Sequence, residues 1–262
     1  MNVKGDFYMR RKKMIILIAL ISFCTVQQGF SLNITSMTNE ASYNKDYFTP
    51  LLEMFATGAN SGLAAASDTG KLLSFGVQIN MTVNPSDAIL NEPGNSSNYQ
   101  LPMLYANFKL GRFFIFIRGL LISQDDVTFK YYGGGLGMVL IQGTTFFPEI
   151  KILGAYQKCE ADGAFFELSA LTAAAIVDYK LPIPILNLNV FAVGGYERNS
   201  LKTSWDSTAF PVPINPENLD FGLDQYRLSV GTRFEFLGLV ALSYEFTLKP
   251  SVNHNITASV KL

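Results

Sequence analysis

The sequence predicts an all-β protein: an antiparallel transmembrane β-barrel of about ten strands, within roughly 8 to 12, preceded by a short N-terminal helical or plug segment. Three observations carry this. From Tyr226 to Leu262 apolar and polar residues alternate almost without a break, which is the period of a strand. Phe, Tyr and Gly are abundant (21, 12 and 21 residues) against a single His and a single Trp, a composition suited to strands, tight turns and bulges. The connections between alternating segments swap between longer polar stretches and short Gly or Pro turns, as expected of a barrel with loops outside and turns in the periplasm.

With 48% hydrophobic and 16% charged residues and a net charge of −1, the chain offers no basic stripe for nucleic acid. No Cys/His spacing suits a metal, and no cofactor motif is present; the glycines from Gly133 to Gly137 lack the Lys and the following helix of a phosphate loop.

Residues 1–31 read as a signal peptide. Arg10, Arg11, Lys12 and Lys13 precede an apolar run from Met14 to Phe23, too short for the roughly twenty residues a spanning helix needs, and Gly29 and Ser31 frame a cleavage site. Cys24 raises a lipoprotein reading, which the bulky Phe23 before it disfavours. Cleavage after Ser31 leaves Cys159 as the one mature cysteine, so no internal disulfide forms.

Residues 32–68 form an N-terminal periplasmic or plug segment. Leu51, Leu52 and Phe55 lead a weak helical pattern that ends in glycines, and it packs either at the rim or inside the lumen.

Residues 69–262 form the barrel. Phe75 to Met81 alternates cleanly, followed by a polar loop from Asn84 to Gln100; Leu104 to Leu110 and Ile115 to Arg118 flank a Gly111-Arg112 turn. Thr128 to Gln142 is a strand whose four glycines imply sharp bending or close approach of another segment. Glu149 to Gln157, Phe165 to Tyr179 and Leu186 to Glu197 follow, separated by a charged loop at Lys158 to Gly163 and a proline turn. Arg198 to Asp224 reads as the last long outer loop. Three strands then close the chain, the last alternating Ile256, Ala258, Val260 and Leu262; it ends in Leu where assembly machinery usually meets an aromatic. Tyr131, Tyr132, Tyr156, Tyr179, Tyr196 and Tyr226 fall near strand ends as candidate interfacial girdles.

Pattern alone does not say which face is out, and a soluble secreted or periplasmic barrel is the alternative. Sparse, mixed charge on the polar face and strands long enough to span a bilayer favour the membrane. The lumen-lining candidates are Arg118, Arg227, Arg233, Glu235, Glu245 and Lys249. The expected partners are the outer-membrane bilayer, the barrel-assembly machinery and a small or hydrophobic solute.

The segments Pro50-Leu51-Leu52, Asn60-Ser61-Gly62, Leu101-Pro102-Met103, Tyr131 to Gly135, Gly194 to Glu197 and Tyr226 to Arg233 together resemble an uncharacterised family of bacterial outer-membrane barrels. More distantly the layout is similar to fatty-acid-transporter barrels, whose N-terminal segment plugs the lumen. The resemblance implies an outer-membrane protein and carries no activity to any residue.

The leading functional expectation is a narrow pore or carrier; the others are a surface or structural barrel and an enzyme. Catalysis would have to use His254, placed in the last outer loop with Ser251 and Asn253, and acids such as Asp125, Asp126 or Asp206, with nothing to orient the base.

Overall fold

A computed structural model describes residues 52–53, 56–68, 71–83, 98–124, 127–162, 166–183, 187–203, 219–249 and 251–262. Ten antiparallel strands form one closed barrel: β1 (Leu73–Val83), β2 (Asn98–Leu110), β3 (Phe113–Gln124), β4 (Val127–Ile141), β5 (Glu149–Asp162), β6 (Phe166–Lys180), β7 (Asn187–Thr203), β8 (Leu219–Phe236), β9 (Val240–Lys249) and β10 (Asn253–Lys261). Each strand pairs with its sequence neighbours, and β1 closes the ring on β10 with Ser74 opposite Lys261 and Thr82 opposite Asn253. Closure leaves no sheet edge, the condition lipid imposes on a spanning sheet.

The register fixes the bore. From Gly76 the ladder runs through Tyr105, Arg118, Gly133, Gln157 and Ala170 to Asn199 of β7. In the other direction it runs through Ser259, Ala241 and Glu235 to Asn187 of the same strand. The two arrivals lie twelve residues apart, which is the shear. Ten strands at that stagger tilt about 40° and make a backbone cylinder about 20 Å across. Inward side chains then leave about the 10–12 Å width of one helix.

The face assignment follows from exposure. Leu136 (68%), Ile117 (64%) and Tyr226 (76%) look outward, and Leu228, Val230, Phe234 and Ile256 are exposed on the same side. Gln78, Asn80, Lys151, Glu197, Asn199 and Thr247 are fully or almost fully buried on the other. An apolar outside around a polar inside is inverted relative to a soluble barrel. The protein is therefore a transmembrane barrel of the outer-membrane type.

Several boundaries differ from expectation. The segment 158–163 is mostly strand, because β5 continues to Asp162, and the expected loop from Arg198 to Asp224 shrinks because β7 and β8 pair from Tyr196–Tyr226 out to Thr203–Leu219. Their charges face outward and pair along and across the strands: Lys158 with Glu160 on β5 and with Glu167 on β6, Arg198 with Asp224 across β7 and β8. Polar strands projecting past the bilayer look like loops when only hydropathy is read. In consequence just two outer connections, residues 84–97 and 204–218, are long, while β3 and β4 are separated by residues 125–126 alone. Tyr131 points inward, whereas Tyr132, Tyr156, Tyr196 and Tyr226 are exposed on the outside and Tyr196 and Tyr226 meet edge to face.

The glycines of β4 serve close approach. A Cβ on Gly135 would lie 2.5 Å from the Phe116 ring and 2.6 Å from the Gly154 carbonyl; one on Gly137 would lie 2.2 Å from Phe114. Both rings lie flat across the inner surface that these positions leave bare. We expect Gly135→Val to destabilise the barrel by about 1–3 kcal/mol through overpacking, while Gly194→Ala, which meets nothing within 4 Å, stays near neutral. Urea midpoints from heat-modifiable gel mobility check the pair.

Candidate functional site

The lumen is not open. Residues 56–60 are helical, α1 (Leu63–Ala66) follows after a turn at residues 61–62, and this whole run to Asp68 is buried inside the barrel. Gly62 makes the turn with φ of 75°, a left-handed conformation that favours glycine, and a Cβ there would sit 2.6 Å from Gln78 Nε2. Small residues dominate from Ala56 to Asp68, so the segment fits a bore one helix wide.

The wall around it has two sides. Leu63, Ala64 and Ala66 pack against an apolar side made by Phe114, Phe116, Leu153, Ile176, Phe191 and Val193. The opposite side, from β8 through β10 to β1, carries Arg227, Glu245, Thr247, Asn255, Thr257 and Gln78, all buried.

Donors on the wall address the plug chiefly through its main chain. Arg227 Nη2 donates to the Thr57 carbonyl at 3.0 Å, Tyr131 Oη to that of Ala59 at 2.7 Å, and Arg118 Nη1 to that of Ser61 at 2.6 Å. Gln78 Nε2 donates to Gly62 O at 2.8 Å, Lys151 Nζ to Ser67 O at 3.4 Å, and Asn107 Nδ2 to Asp68 O at 2.7 Å. Glu245 sits beside the Gly62 backbone and the Arg118 and Arg227 guanidiniums. Side-chain contacts are fewer: Asn60 with Asn199, Ser61 Oγ with Arg227, and the Asp68 carboxylate.

Asp68 is the latch at the periplasmic end, where β10 finishes and β1 begins. Its carboxylate lies 2.5 Å from Lys261 Nζ and 3.7 Å from Arg233 Nη1. Burial alone would push the Asp68 carboxyl up, but Arg233, Lys261 and Lys151 outweigh it and hold the group well below the usual carboxylate range.

The wall charges also pair with one another. Glu197 accepts from Arg227 and Gln225; Asp178 from Arg233 at 2.5 Å and Lys151 at 3.5 Å; Glu235 from Lys261 at 2.6 Å. Arg118, in contrast, hydrogen-bonds among the described residues to Gln157 Oε1 on the wall and to Ser61 O on the plug.

Of the residues expected to line the lumen, Arg118, Arg227, Arg233 and Glu245 are buried on the inner face and Glu235 is half-buried at the periplasmic end. Lys249 is exposed. The ladder slips between Leu228 and Ser229, so the extra residue in β9 carries Lys249 onto the outward face opposite Leu228. Leu52 is 2% exposed, while Leu51 and Phe55 lie outside the described residues, as do residues 1–31 and the acids at 125, 126 and 206. Sequence reasoning overlooked Lys151, Asp178, Glu197 and Lys261, which occupy inward positions equivalent to that of Arg227; carrying the two-residue alternation through β5, β6, β7 and β10 would have found them.

His254 is not in a loop. It stands on β10 facing outward, its Nδ1 2.7 Å from the Tyr244 hydroxyl and its ring 5.1 Å from that of Phe246, while Ser251 and Asn253 are buried on the opposite face. Among the described residues, the Tyr244 hydroxyl is the group within hydrogen-bond distance of the imidazole.

No protein-family model and no curated protein matches the chain. Solved structures similar to it include outer-membrane proteins, among them β-barrels. The N-terminal β-barrel domain of Pseudomonas aeruginosa OprF is 10% identical, covers 72% of this chain and 97% of its own, with a TM-score of 0.33. The translocator domain of the autotransporter NalP from Neisseria meningitidis is 11% identical over 80% and 99%, with a TM-score of 0.36. Acinetobacter baumannii Omp33 is 10% identical over 73% and 98%, with a TM-score of 0.32. At these values the likeness is one of outline, and the membrane assignment rests on the chain's own inverted barrel.

A depressed carboxylate stabilises the charged, folded form, so the Asp68 contribution is complete above about pH 4, the ordinary aspartate value, and is lost as acid approaches its lower folded value. Asp68→Asn is expected to cost about 1.5 kcal/mol at pH 7, since Lys261 and Arg233 keep Glu235 and Asp178 as partners, with a gap from the parent that stays constant from pH 8 to about pH 5. Urea unfolding across that range measures it; a gap that shrinks between pH 8 and pH 6 would contradict the latch.

Proposed function

We propose that the protein is a gated outer-membrane passage for small or hydrophobic solutes, closed at rest by its own residues 56–68. The observation that carries this reading is the division of labour among the buried charges. Arg227, Arg233, Lys151 and Lys261 each have a carboxylate partner on the wall itself. Withdrawal of the plug therefore leaves those cations paired, whereas a buried charge stripped of its only partner would cost several kcal/mol. The plug bonds that are lost are mostly single hydrogen bonds to carbonyls, which water can replace. With the plug aside, the bore presents one apolar and one polar side, suited to a solute that is itself two-sided.

A surface-interaction role is the second reading. It is favoured by the outward ion-pair ladder of β5 to β8, in which Lys158 reaches both Glu160 and Glu167 beyond the hydrocarbon layer.

Planar-bilayer recording separates the two. The parent protein is expected to be silent with rare openings, and Asp68→Asn, which loosens the latch without touching the wall pairs, to conduct about tenfold more often, as the loss of one charge-assisted contact implies. A variant that stays folded and silent would leave the surface role standing and remove the passage.

A further inference from the structure

Resting on the gated-passage reading, we propose that the class of molecule the lumen recognises is a polypeptide segment of small residues, read through its backbone, and that residues 56–68 occupy this site in place of such a segment. The contacts show what kind of ligand the wall is built for. Six carbonyls of the run, those of Thr57, Ala59, Ser61, Gly62, Ser67 and Asp68, each receive a wall side chain. The six donors come from β8, β4, β3, β1, β5 and β2, so they converge on the run from around the ring rather than from one strand. A filler needs only to occupy volume; here separate strands place guanidinium, ammonium, phenol and amide groups at successive main-chain oxygens.

Side-chain selection is steric instead. The apolar side of the bore receives Leu63, Ala64 and Ala66 against Phe114, Phe116 and Ile176, with Ala64 and Ala66 essentially without exposure. Gly62 is the point of closest approach, within 3.0 Å of both Gln78 and Asn255 were it to carry a Cβ. The wall accepts any segment that offers carbonyls at this spacing and side chains no larger than these.

The wall also holds unused capacity. Among the described residues, Arg118 Nη2, Gln157 Nε2 and Gln78 Oε1 are buried and lack a hydrogen-bond partner in the plugged state. They cluster around Ser61 and Gly62, where Arg118 and Gln78 already donate with their other atoms or groups. A buried donor or acceptor left unmade is costly, so a segment that passes Arg118 and Glu245 with more of its amide groups free would bind at least as well as the tethered one. The occupant is a peptide and not a simple anion, because a carboxylate or phosphate would answer Arg118 while leaving Asn107 and Gln78, whose amide groups donate to the carbonyls of Asp68 and Gly62, without those acceptors.

The test uses the full chain carrying Asp68→Asn in planar bilayers, with a synthetic peptide of residues 56–68 added to either side. The expected result is reversible, concentration-dependent block of the current, matched within about threefold by a peptide whose other small side chains are permuted while Gly62 and Leu63 keep their places, since backbone hydrogen bonds do not read side chains. Replacing Ala64 and Ala66 of the peptide by Phe should abolish block. Introducing Arg118→Met and Tyr131→Phe into the channel should weaken it at least tenfold, as the loss of a charge-assisted and a neutral hydrogen bond implies. Currents that no peptide alters, or that an oligosaccharide of equal mass blocks equally well, would overturn the peptide assignment while leaving the passage intact. If the variant carries no current, fluorescence anisotropy of the labelled peptide on the same detergent-solubilised protein decides: saturable binding that Arg118→Met weakens supports the assignment, and no binding overturns it.

Discussion

The structure depends on one constraint: lipid on the outside drives most polar strand residues inward, into a bore too narrow to be filled with bulk water. A ten-strand cylinder with a shear of twelve encloses about one helix's width. Buried polar groups in such a space must be satisfied by protein. The chain meets this in two ways, by ion pairs between neighbouring strands, such as Glu197 with Arg227 and Asp178 with Lys151, and by a plug whose carbonyls accept from the wall. The apolar side of the bore needs no such satisfaction and takes the aliphatic residues of α1.

These two solutions differ in how easily they are undone. The wall pairs are fixed by ladder register and survive whatever the plug does. The plug bonds are individually modest: six carbonyl contacts at about 0.5–1.5 kcal/mol net each amount to roughly 3–9 kcal/mol, before the latch and the packing of Leu63 are added. Moving the plug out also returns conformational freedom to its backbone, which opposes those bonds. The balance is of the size found for conformational equilibria with a sparsely populated minor state. Asp68 sits where this balance is most easily shifted, since it is the one plug carboxylate within the described run from 56 to 68 and it faces two wall cations at once.

Much of this was legible in the sequence, and the rest was hidden for physical reasons. Strict alternation from Tyr226 to Phe236 marked both faces of β8, and the glycines of β4 marked close approach, which the Phe116 and Phe114 rings supply at Gly135 and Gly137 and Gln157 supplies at Gly133. The ends of β5, β7 and β8 were hidden because strands that leave the bilayer lose the apolar half of their alternation, so Arg198 and Asp224 read as loop although they pair across the ladder. Lys249 was misplaced by a single-residue slip, invisible to a two-residue period. The choice between rim and lumen for the N-terminal segment was open because Ala, Gly and Ser carry almost no hydrophobic pattern; that same smallness is what admits them to the bore.

The absence of bulky residues from 56 to 68 and the abundance of main-chain contacts are two faces of one fact. When side chains are short, the backbone comes within reach of the wall, and Arg118, Tyr131 and Gln78 can bond carbonyls that larger side chains would shield. Recognition of this kind specifies the path of a chain more tightly than its sequence, since every residue offers a carbonyl and only size discriminates among them. A plug held in this manner differs from a lid held by a hydrophobic patch: its site remains a site when the plug leaves, with donors in place and wall charges paired. The same wall that keeps the membrane sealed at rest is therefore organised to receive a small-residue chain, and sealing and recognition draw on a single set of side chains.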